Sequence, residues 1–438
     1  MSYGEINYGY RGLITGVNAK IPLKNNKFVT AINFDNAATT PPFNYVLKKI
    51  NDFSPYYSSI HRGTGFKSQF SSEAYELSRN TICNFVHCDS KENTVIYVKN
   101  TTEAINKLSY IFNDLYKDSI ILTTRMEHHS NDLPWRHKFK VDYVELDELG
   151  KLNLSDLKYK LKKHNGKIKL VCIAGASNVT GYKNPIYEIA KIAHSFGAEI
   201  LVDGAQTVAH YPIYMNRPLK EECIDYLAFS AHKMYAPFGI GVLIGPKKTF
   251  QNNIDPEYSG GGTIKLVTDD YVLWADPPEK NEAGTPNVIG VIALTAAIKV
   301  LNKLGMDAID NKEMQLYNYA LNKMMKLPDI IFYGDIKPNC DKVAILPFNI
   351  KGIHHETTAK LLSSLSGIAV RSGCFCAHPY VQRLLKLSPD EINYFKYNYN
   401  DFRPGMVRLS FGLYNTYNEV DILINTLKKI IKNKSTII

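Results

Sequence analysis

Leu201-Val202-Asp203-Gly204-Ala205-Gln206 and Phe229-Ser230-Ala231-His232-Lys233 are the two stretches on which the fold turns. In each, an apolar run of strand-forming residues stops at polar groups, and Lys233 follows Asp203 by thirty positions. The same pattern extends outward on both sides. Residues 94–98, 119–123, 141–146, 169–174, 199–202, 226–229 and 241–245 read as strands, with helices expected from about Thr102 and over 185–195. Strands separated by helical crossovers imply an α/β chain with a mostly parallel sheet covered on both faces. Ligands of such a sheet bind just past the carboxyl ends of its strands. After about residue 300 the pattern changes to helix, short strands and a final amphipathic helix over 419–431, which predicts a second, smaller α+β domain. The expected divisions are 1–30 as an N-terminal arm, 31–300 as the large ligand-binding domain and 301–438 as the small C-terminal domain.

Composition agrees with a globular chain. Of 438 residues, 45% are hydrophobic and 21% charged, which excludes disordered, collagen-like and coiled-coil classes. The length favours two domains. The most membrane-like stretch, 288–298, stops at Lys299, well short of the ~20 apolar residues that a bilayer requires. Residues 1–27 contain no apolar signal core, so a soluble cytoplasmic protein without membrane partners is expected. The formal charge of +10 comes from 42 lysines and only ten arginines against 42 acids. No basic run is interleaved with aromatics, which reads as a solvated lysine-rich surface and not a nucleic-acid site. Scarce arginine is the sharper signal. It directs attention to Arg62, Arg371 and Arg408 as planar forks for a carboxylate or phosphate. Seven cysteines argue against a disulfide framework; Cys172 and Cys223 read as core residues in strand-like runs, and Cys374 and Cys376 lie in a loop.

The chemistry-bearing residues cluster at the expected strand ends. Val98-Lys99-Asn100-Thr101-Thr102-Glu103-Ala104 offers helix-start amides and threonine hydroxyls, either an ordinary N-cap or a phosphate cradle. Met126-Glu127-His128-His129-Ser130-Asn131 places a histidine where it could stack on a planar ring or shuttle protons. Asp203 and Lys233 form a simple ion pair in the plain reading. In the functional one, Lys233 binds the aldehyde of pyridoxal 5'-phosphate and Asp203 keeps the pyridine nitrogen protonated.

Taken together these stretches resemble the cysteine desulfurase/selenocysteine lyase family, within the class V aminotransferases of the fold type I pyridoxal-phosphate enzymes. The resemblance runs from Phe34-Asp35-Asn36-Ala37-Ala38-Thr39-Thr40-Pro41 to Arg408-Leu409-Ser410-Phe411-Gly412-Leu413-Tyr414-Asn415-Thr416. Between them 100–106, 127–135, Ser177-Asn178-Val179, 203–206, 230–233 and Glu282-Ala283-Gly284-Thr285-Pro286 match in order.

The resemblance implies a role for each position. Lys233 carries the cofactor and moves protons, Asp203 faces the ring nitrogen, Gln206 the phenolic oxygen, and His128 stacks on the ring beside Asn178. Thr101, Thr102, Ser230 and His232 bind the phosphate. Gly260-Gly261-Gly262-Thr263 brings Thr263 to the neighbouring subunit's phosphate, which implies a homodimer. Arg408, with Arg371 and Asn178, holds the substrate α-carboxylate.

In Arg371-Ser372-Gly373-Cys374-Phe375-Cys376-Ala377-His378-Pro379, Cys376 takes the position of the family nucleophile. It attacks the sulfur of L-cysteine, with His128 or the substrate amine as proton acceptor, to give alanine and a persulfide. An acceptor protein or thio-metabolite then takes the sulfur. Two features depart from the commonest pattern. Cys374 adds a second thiol, as in molybdenum cofactor sulfurases. The 32 positions from Cys376 to Arg408 include Ser388-Pro389-Asp390-Glu391, the start of an added helix. No metal is expected, although in an extended segment Cys374, Cys376 and His378 would point the same way and could ligate zinc. Other classes remain open: a pyridoxal-phosphate aminotransferase, epimerase or carbon–sulfur lyase with Cys376 a bystander, or a silent binding protein on this fold.

Overall fold

The computed structural model describes residues 9–24, 26–252, 254–337, 340–398 and 403–437, so the first eight residues of the expected arm lie outside it. Seven strands form the main sheet: β1 Asn93–Val98, β2 Ile120–Thr124, β3 Lys140–Val144, β4 Ile168–Ala174, β5 Glu199–Asp203, β6 Tyr226–Ser230 and β7 Gly241–Pro246. Their order is β1-β7-β6-β5-β4-β2-β3. Only β7 runs antiparallel to its neighbours. The apolar runs are continuous because both faces are covered, and successive side chains enter opposite cores. Ile200 and Val202 join one core, Leu201 the other. The expected strand over 141–146 ends early at Val144; Leu146 instead forms an isolated bridge with Leu152.

Helices Val288–Leu304 and Met306–Met324 meet at Gly305, whose φ of 83° permits a bend of 79°. Among the described residues no single helix is long and apolar enough to cross a membrane. The first helix packs under the main sheet. The second joins a separate core beneath a four-stranded antiparallel sheet of β8 Ile330–Phe332, β9 Ile345–Ile350, β10 Arg371–Gly373 and β11 Met406–Ser410, in the order β8-β9-β11-β10.

One early segment ties the two sheets together. Ile32–Asn33 pairs in parallel with Ile368–Ala369, Phe34 packs in the second core, and Asp35 bridges Ser410. The chain then turns toward the main sheet, where Gln206 Nε2 donates to the Ala37 carbonyl at 2.7 Å.

The cysteines differ from expectation at two places. Cys83 and Cys88 are joined in a local disulfide five positions apart, although the cysteine count argued against a disulfide framework. Cys223 is only half-buried and lies outside any strand, its sulfur accepting from the Arg217 N–H, whereas Cys172 is buried in β4 as expected.

Candidate active site

Past the carboxyl ends of β4, β5 and β6 lies a cavity of about 310 Å³. One end is built from hydroxyls and amides. Asn100 caps the helix Thr101–Leu115, its side chain accepting from the Glu103 N–H. The Thr101 N–H donates to Ser230 Oγ at 2.8 Å, and the Thr101 and Ser230 hydroxyls are 2.7 Å apart. Thr102 and Ser130 pair their hydroxyls at 2.7 Å. This turn passes directly over Gly241, where a Cβ would come within 2.6 Å of the Asn100 Cα. Only glycine admits the backbone there.

Lys233 ends a short 3₁₀ turn, Ala231–Lys233, directly after β6. The N-terminal segment braces that turn: the Thr40 N–H and Thr39 hydroxyl both donate to the His232 carbonyl, at 2.9 and 3.0 Å. Burial pushes the Lys233 ammonium down to about 8, with the Arg408 cation adding to the effect and Asp203 opposing it. Asp203 is buried at the end of β5, and burial raises its carboxyl even though the Ala205 N–H donates to it at 3.0 Å. His128 accepts from the Ser130 N–H at Nδ1, and burial holds its imidazole down to about 3, hence neutral.

The opposite wall comes from the second sheet. Arg408 on β11 is buried, donating from Nη1 to the Asn178 carbonyl at 2.8 Å, with its guanidinium 5.0 Å over the Phe375 ring. Arg371 on β10 faces it across the strands. Cys376 follows on a turn and is exposed at the cavity wall. The turn carries left-handed backbone at two successive non-glycine residues, Phe375 (φ 52°) and Cys376 (φ 55°). It is pinned from the main-sheet side: Asn178 Nδ2 donates to the Phe375 carbonyl and the His129 N–H to the Cys376 carbonyl, each at 2.7 Å.

The sequence model of the aminotransferase class-V family matches residues 32–423. The chain belongs to the class-V aminotransferase family. It is 35% identical to a probable cysteine desulfurase of Synechocystis over 412 residues, 92% of this chain and 91% of that one. A probable cysteine desulfurase of Pyrococcus abyssi is also 35% identical, over 92% of this chain and 94% of its own. Among solved structures, the apo cysteine desulfurase of Thermococcus onnurineus superposes with a TM-score of 0.82 at 32% identity, covering 96% of this chain and 98% of that one. A cysteine desulfurase of Escherichia coli gives 0.79 at 27% identity, with 97% and 98% covered. The fold is thus the α/β fold of the type I pyridoxal-phosphate enzymes, with its mostly parallel central sheet.

The cavity is lined by Thr101, Thr102, His128, Asn178, Asp203, Gln206, Ser230, His232, Lys233, Arg371, Cys376 and Arg408, all read from the sequence as site residues. Thr263 is not among them. It is buried elsewhere, its hydroxyl donating to the Gly260 carbonyl at 2.8 Å. Arg62 is exposed and does not line the cavity. The zinc alternative fails on geometry. The segment turns instead of extending, so Cys376 lines this cavity while Cys374 and His378 line its neighbour, and no described cluster of three such side chains could hold a metal.

Sequence reasoning missed Asp35, whose carboxylate sits on both arginines, and Phe375 beneath Arg408. It also missed the buried carboxyl of Glu127, which burial raises to about 8 and Asn131 bonds at 2.7 Å. For Asp35 and Phe375 the charge and aromatic character were visible, but the arginines they meet are distant in the chain; Glu127 bonds local partners, and its shift comes from burial.

Proposed function

We propose that this member of the class-V aminotransferase family is a pyridoxal-phosphate-dependent cysteine desulfurase acting on L-cysteine. The observation that carries the reading is that Lys233, Asp203, Arg408 and Cys376 line one cavity, joined from opposite sheets. The donor set suits the cofactor. Two arginines, Arg371 and Arg408, and the amine of Lys233 face a single lining carboxylate, Asp203, and the hydroxyl cluster at the helix start lies beside them. Such a site favours a phosphate together with a substrate carboxylate.

When bound, pyridoxal phosphate supplies the electron sink that lets an amino-acid Cα lose its proton. The chain's own residues do the rest. Thr101, Thr102, Ser230 and His232 would hold the phosphate, Asp203 would face the ring nitrogen and Gln206 the phenolic oxygen, with His128 against the ring. Arg408, with Arg371 and Asn178 beside it, takes the α-carboxylate and so fixes which Cα bond faces the ring. Lys233, with an amine partly neutral near pH 7, accepts the Cα proton and returns it. Cys376 attacks the substrate sulfur as thiolate; the carbon–sulfur bond breaks and a sulfur–sulfur bond forms, leaving alanine and a Cys376 persulfide. Burial lowers His128 to about 3, which favours the substrate amine over it as acceptor of the thiol proton.

The reading keeps the expected division near residue 300, supported by the separate apolar core of the small sheet, in which Ile32 and Phe34 also pack. It includes a homodimer in which Thr263 serves the partner's phosphate, a cytoplasmic setting, and a sulfur acceptor that is a protein or a thio-metabolite. Incubation with L-cysteine, with and without a reductant, should yield alanine and, with reductant, sulfide. Cys376→Ser should abolish both while leaving the cofactor's visible absorbance. Undiminished alanine release from that variant would rule out the thiol as nucleophile and move the reading to another carbon–sulfur lyase.

A further inference from the structure

Arg371 and Arg408 are directly opposite one another on β10 and β11. Like charges in that position repel, and Arg408, only 2% exposed, has lost the water that would screen it. The counter-charge comes from the other end of the sequence. Asp35 Oδ1 accepts from Arg408 Nη2 at 3.0 Å, and its Oδ2 lies 2.9 Å from Arg371 Nη2. Both arginines line the cavity; Asp35 does not, so its carboxylate acts from behind.

We propose that Asp35 is a positioning residue that yokes Arg371 and Arg408 into one fork for the α-carboxylate of an amino acid, a role that rests on reading the cavity as an amino-acid site. The carboxylate is itself held. The Asp35 N–H donates to Asn33 Oδ1 at 3.0 Å, the Ser410 N–H to the Phe34 carbonyl at 2.7 Å, and the Phe34 ring meets Phe411 edge-on at 5.2 Å. A guanidinium presents its donors in one rigid plane. With Asp35 on one edge, the Asn178 carbonyl on another and Phe375 against its face, the orientation of Arg408 is set before substrate arrives. Its Nε is buried without a partner. Asp35 thereby converts two mutually repelling cations into a preorganised pair with one positive charge in excess, matched to a single carboxylate.

The test uses the protein carrying pyridoxal phosphate and two ligands that differ only in a carboxylate, L-alanine and ethylamine, titrated against the cofactor's visible absorbance. In Asp35→Ala the Kd for L-alanine should rise about tenfold, the scale of one charged hydrogen-bond partner lost, while that for ethylamine stays unchanged. In an Arg371→Ala background the loss should shrink, because one of the two cations needing the counter-charge is gone. Asp35→Asn keeps the shape and removes the charge, and should show a smaller loss of the same selectivity if the alanine variant folds poorly. The proposal is overturned if both Asp35 variants bind L-alanine as tightly as the parent or more tightly, or if ethylamine is lost to the same degree. Neither ligand contains sulfur, so the result stands apart from the desulfurase reading, whose own failure appears as alanine and sulfide not released from cysteine.

Discussion

The two walls of the cavity are built differently. The wall at the ends of β4, β5 and β6 is made of residues that stop a buried strand: Asp203 and Ser230 are each in a strand's last position, and Lys233 is one short turn beyond. The facing wall hangs from a small antiparallel sheet, with Arg371 half-exposed on its edge strand and Cys376 on an exposed turn. That turn spends two non-glycine residues in left-handed backbone, at a cost of roughly 1 kcal/mol or more each, offset by the bonds from Asn178 and His129. The difference separates two tasks. The sheet end supplies the residues proposed to hold the cofactor, whereas the strained turn sets where the Cys376 thiol emerges.

If that separation is right, the largest effects come from crossing the walls. Lys233→Ala removes the amine that moves the proton and should lower L-cysteine turnover by roughly 10³-fold or more, together with loss of the cofactor's absorbance band. Cys376→Ser should lose turnover to a similar degree with the band intact. The spectrum and the rate thus report on opposite walls. A band lost in Cys376→Ser, or kept unchanged in Lys233→Ala, would show that the walls are not separable in this way.

The sheet-end wall was legible in the sequence because its residues are local to their strands. An apolar run followed by Asp203, and another followed by Lys233, needs no distant partner to be read, and the phosphate turn carries its own capping asparagine, Asn100. The facing wall was legible in part: scarce arginine pointed to Arg371 and Arg408, whereas Cys376 was reached only through family resemblance. Nothing in residues 371–379 alone announces that Phe375 and Cys376 adopt positive φ, since neither is glycine. Asp35 lies within a matching stretch, but its two partners are more than three hundred positions away and meet it only once the small sheet forms. The neutral state of His128 likewise follows from burial by other elements.

A smaller effect, confined to the sheet-end wall, tests its electrostatics. Lys233 is pushed down from its ordinary 10.5 to about 8, so about one-tenth of its amine is neutral at pH 7, against well under one-thousandth for an ordinary lysine. Only the neutral amine attacks an aldehyde. Capture of pyridoxal phosphate by cofactor-free protein, followed by absorbance, should therefore rise about tenfold from pH 7 toward its limit and level off above pH 8. Asp203 opposes the shift, so Asp203→Asn should move the inflection to lower pH. A rate still climbing steeply above pH 9.5 would mean that burial does not control this amine.

The smallest effect is expected on the facing wall, at Cys374. It stands two positions from Cys376, yet the intervening turn sends it into the neighbouring cavity of about 570 Å³, beside His378, Lys396 and Arg403. Burial pushes its thiol up to about 11, so it stays protonated at neutral pH, and its sulfur lies 3.5 Å from the Pro404 carbonyl. A protonated thiol is not a nucleophile. The added helix Pro389–Tyr397, capped by Ser388 and Glu391, forms the far side of that second cavity and no part of the first. Cys374→Ser should accordingly leave the alanine yield of the first turnover, measured by rapid quench, within about twofold of the parent. A first turnover slowed tenfold or more would show that the two sulfurs act as one unit through the turn, and that the division between a cofactor-facing thiol and an outward one is false.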